Sequence, residues 1–383
     1  MDQQLTAQGL GDSAPRNYSL TYDGKGGEIG KIALTNGLLG LVTLGVYRFW
    51  GKTRLRRYLW SHVVLEGDRL EYTGRGLELF LGFLVVSVIL ILIYGGVFVA
   101  SLAFGFGIAE AEGLQLVLVL ILLLLIPVAI YRARRYRLSR TYWRGIRAGQ
   151  TGSAFKYALM SIGLFLLSML TLGLAYPYHR TVLQRYRMQN TWFGDQNFEF
   201  EASAWRLFGK WLLTLLLYPF TLGFSYFWYR IVEFRYYAGC TRFMGAEFSS
   251  RLDTGRVIGI IILTYIASIV FMIVLFGLAA AVSGLFMPGL IEDFQELSQA
   301  QTTGDPNVVP PPALIAAYLV FGLAAALGFG VIQTVFFIQP LVAEVIRSLS
   351  IEGEVDFEAL AQSAERGPRH GEGLADALDL SPI

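Results

Sequence analysis

Four stretches of this chain are almost free of charge, and nothing else in the sequence constrains its fold as tightly. Residues 77–107 hold no charged side chain after Glu78, and residues 114–131 enclose a wholly apolar run at 116–126. Residues 257–286 and 313–338 are similar, interrupted only by small or neutral polar groups such as Thr264, Ser268 and Gln333. A helix needs roughly 20 apolar residues to cross a hydrocarbon core, and each stretch approaches or exceeds that length. Ala324 and Gly328, four residues apart, suit close contact between helices. Three shorter apolar segments, 32–47, 154–176 and 211–228, just reach a spanning length. Charged residues make up 16% of the chain, against about a quarter in soluble domains. The expected fold class is therefore an all-α polytopic membrane protein: a helical bundle with internal repeats and short interfacial strands or turns.

The repeats show in the shorter segments. Thr43-Leu44-Gly45 leads to Tyr47, Thr171-Leu172-Gly173 to Tyr176, and Thr221-Leu222-Gly223 to Tyr226. Fourteen residues after each threonine stands an Arg-Tyr pair: Arg57-Tyr58, Arg185-Tyr186 and Arg235-Tyr236. A glycine follows nine or ten residues later (Gly67, Gly194, Gly245), and then a short stretch with strand periodicity. A fourth, degenerate copy keeps Arg135-Tyr136 and Gly145 without the Thr-Leu-Gly. Equal spacing at three places reads as internal duplication. Each unit is an apolar helix, a glycine break, and a helix mixing aromatic with basic residues. Such residues favour the membrane–water boundary, where arginine reaches headgroups. Arg57, Arg185 and Arg235 are thus candidate ligands for anionic lipid headgroups, with topological anchoring as the plainer reading.

The pattern Leu34-Thr35-Asn36, Thr43 to Tyr47, Trp50-Gly51-Lys52, Arg57-Tyr58 and Tyr72-Thr73-Gly74 resembles the YjgN-type bacterial inner-membrane proteins, a family of unknown function. The resemblance covers roughly residues 18–350. It implies a multi-pass protein of the bacterial inner membrane and brings no catalytic residue with it.

Residues 1–17 are polar and read as a disordered tail without a cleaved signal, residues 18–350 as the membrane domain, and residues 351–383 as an acidic cytoplasmic tail. Basic residues mark the cytoplasmic side. They crowd the connections after Tyr47, Tyr131, Tyr176 and Trp228, whereas 109–113 and 287–312 are acidic or neutral. Full crossing by every repeat segment conflicts with this charge pattern. Either the repeat segments re-enter the bilayer, or seven spans place the amino terminus outside. The carboxyl terminus is expected in the cytoplasm.

Chemistry is sparse. The lone Cys240 excludes an intramolecular disulfide and a cysteine metal cluster. His62, His179 and His370 lie far apart, and neither a phosphate-binding loop nor a nucleophile–base set is visible, so no cofactor or metal is expected. No span carries a carboxylate at its middle, which disfavours a proton-coupled carrier. Two functional readings remain: binding or moving a lipid or amphiphile, or a structural scaffold in the membrane. An enzyme is the weakest reading. The expected partners are membrane lipids, and other membrane proteins or further copies of the chain. A net charge of +2 gives no footing for nucleic acid.

Overall fold

The computed structural model describes residues 16–104, 108–286, 289–303 and 311–364; of the tails expected at 1–17 and 351–383, residues 1–15 and 365–383 lie outside them. The chain divides into two compact units. The first comprises Met1–Asp23, Arg56–Thr254 and Ala343–Ile383, and the second Gly24–Leu55 and Gly255–Val342.

The first unit overturns the all-α expectation, because it contains an eleven-stranded antiparallel sheet. Four hairpins build most of it: β3 (Val63–Leu65) with β4 (Asp68–Tyr72), β5 (Thr141–Trp143) with β6 (Ile146–Gln150), β7 (Thr191–Phe193) with β8 (Gln196–Phe200), and β9 (Thr241–Phe243) with β10 (Ala246–Ser250). Successive hairpins pair with one another in chain order. β11 (Leu349–Glu352) joins β10, and β1 (Asn17–Ser19) joins β11. At the other end β2 (Thr21–Tyr22) pairs with β3. Only Leu20 separates β1 from β2, so the two ends of the sheet meet in one interrupted strand and the ring nearly closes. Closure removes the exposed edges that invite aggregation.

Two-residue turns shape the hairpins. Glu66-Gly67, Arg144-Gly145 and Met244-Gly245 each have both φ angles positive, the backbone whose twist matches that of paired strands. Side chains from β1, β3 and β6–β11 converge on one apolar cluster, which places it inside the ring: Tyr18, Phe243, Ala246 and Ile351, with Leu65, Ile146, Phe193 and Phe198 against them. The chain beyond β11 enters the same cluster through Val355, Phe357 and Leu360. Phe357 packs edge-on to Tyr18 and Trp143 at 5.2 and 5.1 Å between ring centroids.

Helices hang from the ring. α3 (Gly76–Phe104) and α4 (Ile108–Ser139) are long, and the expected span 114–131 falls within α4. α5 (Ala154–Leu170) and α6 (Tyr176–Gln189) form one helical hairpin, and α7 (Trp205–Leu217) and α8 (Phe224–Gly239) another. The second unit contains α1 (Gly26–Val42), the start of α2 (Arg48–Ser61), α9 (Thr254–Phe286), α10 (Gly289–Thr303) and α11 (Pro312–Ile332). Its helices approach closely through glycines. A Cβ added to Gly37 would meet Leu327 at 2.3 Å, and one on Gly328 would meet the Phe271 ring at 2.0 Å. A π-helical turn, Gln333–Ile338, follows α11, and Thr264 Oγ1 donates to its Phe336 carbonyl at 3.0 Å.

Among the described residues, three helices are long and apolar enough to cross a membrane: Gly76–Ser101, Thr254–Leu285 and Pro312–Ser348. The helices leading into the Thr-Leu-Gly turns have 17, 17 and 13 residues. At 1.5 Å per residue they reach about 20–25 Å, short of a hydrocarbon core of about 30 Å.

Candidate functional site

Each Thr-Leu-Gly segment is a tight reversal between two helices, and the sequence dictates its geometry. The threonine hydroxyl donates to the carbonyl four residues back, at 2.7–2.9 Å in the three copies. The same oxygen accepts the N–H four residues ahead: Tyr47 at 2.9 Å, Ala175 at 3.1 Å and Ser225 at 3.1 Å. One side chain thus closes the first helix and caps the second. The glycine N–H (Gly45, Gly173, Gly223) bonds the carbonyl five residues back, in the manner of a Schellman end. Leucine and glycine are both left-handed, with φ of +49 to +50° and +85 to +86°. That backbone suits glycine and costs leucine roughly 1–2 kcal/mol. Nevertheless Leu44, Leu172 and Leu222 are 94%, 89% and 90% exposed. Strained apolar side chains at an uncovered tip have no protein contact to reward them.

Arg57, Arg185 and Arg235 also share one geometry. Each donates through Nη2 to the backbone carbonyl seventeen residues on, where its strand hairpin ends: Gly74 at 3.4 Å, Ala202 at 2.6 Å, and Leu252. Their tyrosine neighbours work in parallel. Tyr186 donates to the Ser153 carbonyl and accepts its N–H, and Tyr236 does the same with Ser203. Arg185 and Arg235 with Tyr186 and Tyr236 therefore clamp hairpin exits to the starts of apolar helices, and Arg57 holds the exit at Gly74. Other motif tyrosines pack: Tyr176 stacks on Trp211 at 4.4 Å and meets the Tyr226 hydroxyl at 3.2 Å, Tyr47 stacks on Trp50, and Tyr58 lies 4.1 Å from His62. The three arginines serve three separate hairpins, and no contact joins them among the described residues.

Arg185 lines two adjoining cavities. One, of about 570 Å³, has a mixed wall that includes Arg185, Gln189, Phe200, Glu201, Ser203, Arg206 and Tyr236. The other, of about 460 Å³, is mostly apolar, bounded by Leu174, Pro177, Tyr178, Val182, Trp205 and Phe208. They share Arg185, Ala202 and Ser203, so a charged pocket adjoins an oily one. Trp205 and Tyr178 are largely exposed at its rim. Arg206, two helical residues from the shared wall, makes no hydrogen bond or ion pair among the described residues. A guanidinium in that state can take a phosphate in bidentate fashion.

Sequence reasoning passed over a buried ionic group. Glu233, 2% exposed in α8, accepts from Arg180 at 3.4 Å, from Tyr237 at 3.3 Å and from Arg230. Burial disfavours the Arg180 charge, but Glu233 outweighs it and raises the pKa. A lone carboxylate in an arginine- and tyrosine-rich helix was the available signal. Similarly, Glu78 ties α3 to α4 through Tyr136 at 2.6 Å and Arg140 at 2.8 Å. No group of three or more potential metal ligands occurs among the described residues.

The comparisons with known proteins agree with the motif. An inner membrane protein YjgN of Salmonella typhimurium is 37% identical over 75 residues, 20% of this chain and 19% of that protein. One from Escherichia coli O157:H7 is 30% identical over 79 residues, 21% of this chain and 20% of that protein. The aligned part thus spans about a fifth of the length of these curated relatives. No solved structure matches. The family model described as bacterial protein of unknown function (DUF898) matches residues 17–377. With nearly the whole chain inside that match, the chain belongs to this family of bacterial proteins of unknown function.

Proposed function

We propose that this protein is a multi-pass component of the bacterial inner membrane, with its carboxyl terminus in the cytoplasm, that binds a phospholipid or similar amphiphile in the paired cavities between α6 and α7. The observation that carries this reading is the junction at Arg185. A phosphate-sized anionic group fits beside Arg185 and Arg206, and an acyl chain fits along Val182, Trp205 and Phe208. The names of the aligned relatives support the inner-membrane location. The matched hydrogen bonds of the three Thr-Leu-Gly turns support an origin by internal duplication. The 13- to 17-residue helices with apolar tips support hairpins that dip into the bilayer and return, the threonine hydroxyl and glycine N–H taking up backbone polar groups at each turn.

Native mass spectrometry of the purified protein tests the binding reading. Arg206→Gln is the clean variant, because Arg206 holds nothing else in place. Loss of a charge-assisted hydrogen bond, roughly 1.5–3 kcal/mol, weakens retention of anionic phospholipid about tenfold or more. Arg57→Lys and Arg235→Lys, outside the cavities, leave retention unchanged. Equal lipid retention by wild type, Arg206→Gln and Arg185→Lys overturns the proposal.

A further inference from the structure

A second group of arginines, not among those lining the paired cavities, has no carboxylate to itself. Arg134 lies near the end of α4, and Arg187 near the end of α6. Both are half-buried, and so within reach of a ligand. Arg134 Nη1 makes three long contacts, to Thr191 Oγ1 at 3.2 Å, Gln150 Oε1 at 3.3 Å and the Arg187 carbonyl at 3.5 Å. Its Nη2 faces only the Met188 sulfur at 3.8 Å, a weak acceptor. The Arg187 guanidinium has no hydrogen bond or ion pair among the described residues, and its Nε is fully buried. Because Gln150 accepts from Arg134 through its oxygen, its amide nitrogen is a donor, and that nitrogen is buried with no well-formed hydrogen bond, the Tyr131 hydroxyl beside it.

The charges do not balance either. Arg187 feels Glu233, but the oxygens of Glu233 are already taken by Arg180, Arg230 and Tyr237. Burial, and then the Arg187 and Arg137 charges, lower the Arg134 pKa to about 10. Arg187 is shifted down chiefly by burial. Donors from two helices and a strand therefore converge with no carboxylate of their own among them, Arg134 holding only neutral acceptors and the Arg187 guanidinium none.

We infer that Arg134 and Arg187, with the Gln150 amide, bind an oxyanion of the phosphate type between α4 and α6. An oxyanion supplies several acceptor oxygens and the missing negative charge together. It comes either from a lipid headgroup or from a soluble phosphate.

The test uses the full chain, purified in detergent and delipidated, with inorganic phosphate and dioctanoyl phosphatidylglycerol as probes. Calorimetry at constant ionic strength reads the affinity. Wild type binds, Arg187→Gln weakens binding about tenfold or more, and Arg187→Lys recovers part of it. Without phosphate, Arg187→Gln melts no lower than wild type, because it removes an unpaired charge. Phosphate that the lipid cannot displace identifies a soluble anion, and displacement identifies a headgroup. Arg206→Gln leaves this phosphate affinity unchanged, so the paired-cavity proposal and this one fail separately. Wild type that binds neither probe, or Arg187→Gln that binds like wild type, overturns the inference.

Discussion

The chain reverses direction with the same backbone device at two kinds of place. At the helical tips and at three of the strand turns, two consecutive residues take positive φ, and the second is glycine. The first residue differs. At the tips it is Leu44, Leu172 and Leu222; at the strand turns it is Glu66, Arg144 and Met244. Glu66 and Arg144 are exposed, and Arg144 pairs with Asp68 at 2.5 Å, as expected of turns in water. The leucines are equally uncovered but apolar. Met244 is apolar too, but it packs against the core cluster of the ring, so the leucines are the uncovered apolar residues, which the re-entrant hairpins proposed above would set in hydrocarbon.

The comparison breaks most visibly at Gly194, the first residue of the remaining strand turn. Its φ is +60°, and an added Cβ would lie 2.7 Å from the Ala361 carbonyl oxygen. Left-handed strain and overpacking together put the cost of Gly194→Val at about 3 kcal/mol, read from denaturant unfolding in detergent. At the tips the second cause is absent. A Cβ on Gly173 meets nothing within 4 Å, so Gly173→Ala costs only about 1 kcal/mol in the same experiment. Equal losses at both sites would show that the tip is packed and not open.

Leu172→Asn sharpens the contrast further. Asparagine enters the left-handed region readily, and the leucine has little protein contact to lose. Unfolding stability in detergent stays within about 0.5 kcal/mol of wild type; a loss of 2 kcal/mol would reveal a hidden packing role. The smallest effect lies just behind that tip, where His179 Nδ1 sits 3.4 Å from Ser168 Oγ. Burial, and then Arg180, lower the His179 pKa below 6.5. The folded state therefore favours the neutral ring. Stability is flat above pH 6.5 and declines as the pH falls below it, until the folded form also takes up the proton. His179→Gln removes that slope in a pH series of thermal melts.

The helical turns were legible. The equal spacing of threonine, glycine and arginine marked three matching breaks, and Gly45, Gly173 and Gly223 do occupy left-handed positions. The ring was not legible. Its strands are two to five residues long; the alternation after each repeat glycine read only as isolated interfacial strands or turns, because the pairing of β4 with β5 or β10 with β11 joins segments separated by whole helices. Nor does sequence mark an arginine that serves a carbonyl. Arg185 and Arg187 are neighbours in one basic helix, yet one lines the paired cavities while the other is left without an acceptor. Their difference arises from which face of α6 each occupies.

Spin labels at the two kinds of turn test the central claim most directly. With Cys240 replaced by alanine, single cysteines at Leu172 and at Arg144 are labelled in protein reconstituted into phospholipid vesicles. Collision rates with oxygen, which concentrates in hydrocarbon, and with a charged nickel chelate, which stays in water, give the depth of each label. The account predicts that the Leu172 label is relaxed mainly by oxygen and the Arg144 label mainly by nickel. A Leu172 label as accessible to nickel as that at Arg144 would place the tips in water and contradict it.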